Sequence, residues 1–312
     1  MVVTGAAGYV GGRLVGRLLD EGREVHAVVS EAAPRLGVEQ TVGDLGEVGV
    51  DVLSAACEGA AAIVHLAGDN EVRAASDPAA ALARTVVATE QLVEAAARAG
   101  VPRLIYMSTV HVYGERMTDG ATLTEDLRPE PRSSYAISRL ASEHVAAMLA
   151  GSGADLVVLR LTNAVGAPDD PSVDRWTLVA NDLCRQGAVS GRLTLRTSGV
   201  QWRDFVALRD VCSVISAACR APDPVLPPGT YNLASGRPTT VRALAEMIQD
   251  AFERLSGERP ELQAPEPGPQ RPEPYHVSVE RMGRHGLRAG TELADAVGET
   301  VRFCLDHRPE LR

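Results

Sequence analysis

The order of apolar and polar positions along the chain predicts strands and helices in alternation. Short apolar runs stand at Val25–Val29, Ala62–Ala67, Arg103–Ser108 and Leu156–Leu161, each about the length of a buried strand. Between them lie segments with helical periodicity, Arg13–Glu21 and Thr85–Arg98. In the first, Val10, Leu14 and Leu18 recur every four residues and mark one buried face, and Gly22 is placed to cap the C-terminus. Strand, helix, strand, repeated, predicts an α/β fold: a doubly wound parallel sheet with helices on both faces. Only Met1, Val2 and Val3 precede Thr4, so the first strand is expected to be short for a central one.

The pattern changes after about Gly166. "GAPDDPSVD" reads as loop, and "APDPVLPPG" and "RPELQAPEPGPQRPEP" are too rich in proline for regular helix. Between the last two, Thr240–Leu255 reads as a helix with Val241, Leu244, Ile248 and Phe252 on one side. A smaller, irregular C-terminal part is therefore expected beside the large sheet. No internal repeat or low-complexity tail is visible.

Composition narrows the classes. The 312 residues are 45% apolar and 23% charged, with a formal net charge of −10. That balance fits a soluble globular chain and argues against a general nucleic-acid or membrane binder. No run is apolar and long enough to span a bilayer. The N-terminus runs at once into a glycine motif and does not read as a signal peptide. The five cysteines, Cys57, Cys184, Cys212, Cys219 and Cys304, include no CxxC pair, and the seven histidines form no HExxH. Neither a disulfide framework nor a metal site is predicted, and a reducing, cytoplasmic location is the expectation.

The strongest chemical signal is "VVTGAAGYVGG", which sets Gly5, Gly8 and Gly11 between a strand and a helix. Glycine there permits the tight turn, the approach of main chain to a pyrophosphate, and close packing of helix on strand. The helix N-terminus then offers free N–H groups to the phosphates. A dinucleotide is the expected ligand; the alternative is a glycine-rich turn without one. NAD-binding versions of this unit carry an acid at the end of the second strand for the ribose hydroxyls. Here that place holds Ser30, with Glu31 one residue late and Arg35 close by. The cofactor is NAD or NADP, with a lean to NADP because neutral Ser30 and Arg35 would tolerate a 2′-phosphate.

Eight motifs in order carry a more specific resemblance: "TGAAGYVG", "GDL" at 43–45, "HLAG" at 65–68, "MSTVHVYG" at 107–114, "YAISR" at 135–139, "RLTNAVG" at 160–166, "VQWRDFVALRDV" at 200–211 and "YNLASG" at 231–236. Together they resemble the extended short-chain dehydrogenase/reductase family, of the nucleotide-sugar epimerase, dehydratase and 4-ketoreductase type. The resemblance implies a Rossmann domain over 1–165 plus about 204–233. It implies a smaller C-terminal α/β substrate-binding part over about 166–203 plus 234–312. It implies a dinucleotide held by Gly5, Gly8, Tyr9, Val10, Gly11, Ser30, Asp44, Leu45, Leu66, Ala67, Gly68 and Ser108, with Tyr135 and Arg139 also in contact. Thr109, Tyr135 and Arg139 take the catalytic places. His111, Asn163, Arg203 and Arg271 fall where substrate is bound, the two arginines suiting a diphosphate through their bidentate forks; the alternative for each arginine is a solvated surface charge. A homodimer is the implied assembly.

Three departures from the family pattern accompany the match. The dehydratases carry Asp-Glu straight after the catalytic threonine, where this chain has Val110 and His111; without that acid/base pair, water elimination is not expected. A helical asparagine of the family is replaced by Thr85. The lysine four residues after the tyrosine is Arg139. A cation one turn along the same helix face still favours the phenolate of Tyr135 electrostatically. Arginine, however, does not give up its proton, so a relay through a lysine ammonium is closed. The expected chemistry is hydride transfer at C4 of a nucleotide-sugar, by a 4-ketoreductase or a 4-epimerase. A catalytically impaired NAD(P)-binding protein and a reductase of a non-sugar ketone stay open as alternatives. A second alternative makes Arg139 a surface ion-pair partner of Glu143, and His111, two residues past Thr109, is a candidate proton donor.

Overall fold

The computed structural model describes residues 1–149, 153–220, 225–269 and 272–311. Seven parallel strands form one sheet in the order Gly229–Leu233, Asp155–Leu161, Arg103–Thr109, Ile63–His65, Val2–Thr4, His26–Val29 and Glu39–Val42. Chain order reverses beside Val2–Thr4, the position where such sheets open a crevice at their C-terminal edge.

Successive residues of each strand serve opposite faces. Val3, Ala27, Val64, Ile105 and Val157 face the first helix, Tyr9–Asp20, and the helix Leu208–Ala218. Val2, Val28, Ile63, Leu104 and Val158 face Val50–Cys57, Ala88–Arg98 and Ser134–Ala147. Burial on both sides is why the strands read as continuous apolar runs instead of alternating ones. The first helix buries Leu14 and Leu18 completely and ends at Gly22, whose φ of +73° lets its N–H return to Leu19 O.

A separate core joins the helices Val179–Ser190, Val241–Ser256 and Leu293–Asp306, with Leu183, Leu244, Ile248, Phe252 and Val301 at its centre. Thr240 caps the second of these helices by accepting from Ala243 N. Against this core lies a small sheet in which Trp202–Ala207 pairs parallel with Asn163–Val165 and antiparallel with Pro238–Thr240. The chain passes between the large and small sheets near Thr162 and Ser235, and the buried carboxylate of Asp204 ties these crossings. It accepts from Thr162 Oγ1 at 2.8 Å and from both the N–H and the hydroxyl of Ser235 at 2.9 Å. The cleft between the two sheets is fixed by this knot.

Candidate functional site

The cleft has a volume of about 1050 Å³ and opens at the C-terminal ends of the strands. Its floor at one end is the glycine loop. Gly5 has φ of +64°, and a Cβ there would stand 2.9 Å from Ala67 N. A Cβ on Gly11 would stand 2.2 Å from Gly5 O. Gly8 caps the first helix without a side-chain hydrogen bond, and no acid occupies the first turn. The opening N–H groups of that helix thus lack a side-chain acceptor. These residues fit a dinucleotide pyrophosphate.

All the residues expected at the cofactor line this cleft: Gly5, Gly8, Tyr9, Val10, Gly11, Ser30, Asp44, Leu45, Leu66, Ala67, Gly68, Ser108, Tyr135 and Arg139. Three have side chains engaged elsewhere. The phenol of Tyr9 turns into the protein and donates to Gly166 O at 2.8 Å; burial pushes its pKa up, which keeps it a donor. The hydroxyl of Ser108 donates to Glu143 Oε1 at 2.5 Å. Asp44 folds back to accept from Gly46 N at 2.9 Å. Arg35, the expected support for a 2′-phosphate, pairs with Asp169, Nε to Oδ2 3.1 Å, and donates to Ala7 O at 2.7 Å.

At the other end, Thr109 closes the strand Arg103–Thr109 and Tyr135 opens the helix Ser134–Ala147, which Ser133 caps by accepting from Ala136 N. Arg139 lies one turn on and is buried, not exposed. Its Nη1 donates to Ala67 O at 3.2 Å and Met107 O at 3.4 Å, and its Nη2 to Asp69 O at 3.4 Å. The guanidinium carbon is 5.5 Å from the Tyr135 ring centre. The expected alternative, a surface pair of Arg139 with Glu143, does not form. Glu143 is itself buried and takes Arg160, Nε to Oε1 3.0 Å and Nη2 to Oε2 2.7 Å.

His111 lines the cleft and is exposed there; its ring meets the Tyr135 ring edge-on at 6.3 Å. Burial lowers its pKa, Arg203 adds to this, and Glu71 opposes it. Asn163 and Arg203 also line the cleft. The Asn163 amide donates to Asp204 O at 2.8 Å, and Arg203 Nη1 donates to Trp202 O at 2.8 Å. Arg271 lies outside the described residues.

The structure brings three further ion pairs to the cleft. Glu71 and Arg175 meet in bidentate fashion at 2.8 and 3.0 Å. Although burial works against the charge of Glu71, Arg175 holds its carboxyl below the usual range. Asp69 takes Arg84 at 2.6 Å and Arg73 at 3.3 Å. A capping pattern around Asn70, which accepts from Val72 N and Arg73 N, marks the helix that carries Glu71. No local signal joins Glu71 to a residue a hundred positions on. Thr85 sits in a π-helical turn, Ala83–Val87, where its hydroxyl accepts from Asp69 N at 3.3 Å.

A doubly wound parallel sheet, a glycine cradle at its switch point and a wall of threonine, tyrosine and a buried cation define a dinucleotide-dependent protein of the short-chain dehydrogenase/reductase type. The chain belongs to the NAD-dependent epimerase/dehydratase family, whose model matches residues 1–234. It is 29% identical to a UDP-glucose 4-epimerase of Mycolicibacterium smegmatis over 318 residues, 97% of each chain. It is 28% identical to a dTDP-glucose 4,6-dehydratase of Streptomyces antibioticus over 270 residues, 81% of this chain and 77% of that one. A solved structure of MoeE5 in complex with UDP-glucose and NAD superposes with a TM-score of 0.81 at 25% identity, covering 100% of this chain and 99% of the other.

Proposed function

We propose that the protein moves a hydride at C4 of a nucleotide-linked sugar, as a 4-epimerase or a 4-ketoreductase. The observation that carries this reading is that Thr109, Tyr135 and Arg139 line the same cleft as the glycine cradle. When bound, the nicotinamide supplies the hydride acceptor or donor at that carbon. Thr109 and Tyr135 present two hydroxyls to the reacting oxygen. As the alcohol is oxidised, its proton passes to the Tyr135 oxygen; as the ketone is reduced, the same oxygen returns it. Arg139 offsets the negative charge of the phenolate without taking part in the transfer. The proton on Tyr135 exchanges with water in the cleft or with His111.

Asn163 and Arg203 line the wall on the C-terminal side, where a diphosphate is bound in this reading, with Arg271 as a further cation. The part that contains the helices Val179–Ser190, Val241–Ser256 and Leu293–Asp306 is the substrate-binding half. Val110 is buried, and Val110 and His111 stand where the dehydratases of the family carry their acid/base pair, so the chemistry stops short of eliminating water. The five cysteines are all buried and unpaired, which supports a reducing, cytoplasmic setting. The active form is a homodimer. Exposed apolar side chains on adjacent helices, Leu82 and Val87 on one, Ile137 and Met148 on the other, support it.

A second reading, a dinucleotide binder without turnover, draws on one observation: Arg139 is held by three main-chain carbonyls and cannot relay a proton. The deciding experiment incubates the protein with UDP-glucose, and separately with a 4-keto nucleotide-sugar and reduced dinucleotide. Interconversion of C4 epimers without net cofactor consumption identifies the epimerase. One-for-one oxidation of the dinucleotide identifies the ketoreductase. Dinucleotide binding with neither reaction supports the non-catalytic reading.

A further inference from the structure

At the end of the cleft nearest Ser30, the lining residue Arg35 is held in an ion pair with Asp169. Arg35 belongs to the short 3-10 turn Pro34–Leu36 that follows the strand His26–Val29. Asp169 comes from the opposite side, in the loop after Asn163–Val165. The pair is only partly exposed, 27% and 20% for the two side chains. The second arm of the guanidinium, Nη2, is anchored on Ala7 O in the glycine loop.

An independent feature makes room for the acid. A Cβ on Gly12 would stand 2.2 Å from Asp169 Oδ1 and 2.2 Å from its Cγ. The second glycine of "GG" therefore serves no turn; it leaves the space that the carboxylate fills. Asp170 lies within the field of the same arginine. Its carboxyl is held low, chiefly by Ser172, with Arg35 contributing. Glu31 lines the same end of the cleft.

In folds of this kind the end of the second strand meets the adenosine ribose, and an arginine nearby accommodates a 2′-phosphate. Arg35 stands in that place, but Asp169 already neutralises it. A 2′-phosphate brings about two negative charges. Here it would meet a compensated arginine, with Glu31 at the same end of the cleft. We propose that Asp169 sets the cofactor preference from the far wall: by holding Arg35 it makes the cleft select NAD over NADP. This reverses the lean drawn from Ser30 and Arg35 alone, and it rests on reading the cleft as an NAD(P) site. Asp169 is a specificity-determining residue that acts through Arg35.

The test is a titration of the purified full chain with NADH and with NADPH, followed by nucleotide fluorescence, with no substrate present. Wild type binds NADH at least about tenfold tighter, the size of one charge-assisted hydrogen bond. Asp169→Asn frees Arg35 and moves the NADPH/NADH affinity ratio about tenfold or more toward NADPH, with NADH affinity kept within a few fold as evidence of intact folding. Asp169→Asn combined with Arg35→Ala loses that gain. The proposal is overturned if wild type binds NADPH as tightly as NADH, if Asp169→Asn leaves the ratio unchanged, or if its shift survives without Arg35. A wild type that binds NADH while the ratio ignores Asp169 sinks this proposal alone. A wild type that binds neither dinucleotide sinks the reading beneath it as well.

Discussion

The guanidinium carbon of Arg139 lies 5.5 Å from the ring centre of Tyr135, and three main-chain carbonyls, not an acid, hold it there. The positive charge beside the tyrosine is thus fixed in position and has no carboxylate among its hydrogen-bond partners. Its task in the proposed chemistry is electrostatic. Arg139→Ala is expected to lower kcat by ~10²–10⁴, the usual worth of acid–base assistance. Arg139→Lys keeps a cation and three donors and is expected to stay within about tenfold of wild type, since a tenfold change is only about 1.4 kcal/mol. Steady-state kinetics on the substrate of the natural protein decide. Activity that exists only in the lysine variant would make the wild type a retired enzyme.

Gly68 holds the opposite side of that guanidinium. Its φ is +134°, and a Cβ would stand 3.1 Å from Cζ, Nη1 and Nη2 of Arg139. Gly68→Ala therefore carries backbone strain of about 1–3 kcal/mol and displaces the cation from its place beside Tyr135. Turnover should fall further than thermal stability implies. Melting temperature and kcat measured on the same preparation separate the two effects.

The parts of this arrangement that could be read from sequence are those built from near neighbours. The glycine loop, the paired apolar runs and the Val241, Leu244, Ile248 and Phe252 face all depend on contacts within a turn or a strand, and spacing reports them. Spacing also places Tyr135 and Arg139 on one helix face. It does not say what covers that face. The surface pair expected between Arg139 and Glu143 fails because the helix packs on the sheet, where Ser108 and Arg160, from two different strands, claim the glutamate. The same limit hid Glu71 with Arg175, 104 residues apart, and Arg35 with Asp169, 134 apart. Such pairs are made by topology, and spacing alone does not show that Arg35 is engaged by Asp169.

The Glu143–Arg160 pair lies against Ser108, with Glu143 on the Tyr135 helix, and has side-chain exposures of 8% and 6%. Arg160 also stacks 5.0 Å from the Tyr113 ring centre. Removing one partner leaves a buried charge uncompensated, so Glu143→Gln should cost about 3–5 kcal/mol of unfolding free energy. Replacing both, Glu143→Leu with Arg160→Met, should cost less than either single change. Urea denaturation of the three variants tests the ordering; an additive double variant would count against the pair as a unit.

The proposed dimer makes a prediction of its own. Ile137→Asp with Met148→Asp places charge on the exposed apolar side of the Tyr135 helix. Sedimentation should report a dimer for wild type and a monomer for the variant, with secondary structure unchanged. A wild type that sediments as a monomer rejects the assembly.

His65 gives the fold a pH dependence whose sign is set by its surroundings. The ring is fully buried and lies between two hydroxyls, Nδ1 to Thr4 Oγ1 at 2.7 Å and Nε2 to Thr89 Oγ1 at 3.0 Å. Thr89 donates its own proton to Thr85 O at 2.7 Å. It therefore accepts from Nε2–H, and Nδ1 accepts from Thr4, which assigns the neutral tautomer from the network. Burial first, and the charge of Arg139 second, push the pKa from 6.5 down to about 3. The unfolded chain takes up a proton at this residue near pH 6.5 and the folded chain does not. Stability is thus fully present above about pH 6.5 and is lost as pH falls from there toward 3, with a slope approaching ~1.4 kcal/mol per pH unit from this one group. His65→Gln should be less stable than wild type at pH 7.5, and the gap should narrow between pH 6.5 and 5 as the wild-type advantage titrates away. Glu21 and Glu71 have carboxyls held below their ordinary values, so their losses begin at lower pH and leave this window clear. His111 is shifted in the same direction, but it opens onto the cleft, so His111→Ala should leave most of the slope in place. Urea midpoints of the three proteins at pH 7.5, 6.5, 5.5 and 5 measure the effect, and a gap between wild type and His65→Gln that stays constant with pH would mean that His65 is charged in the folded protein.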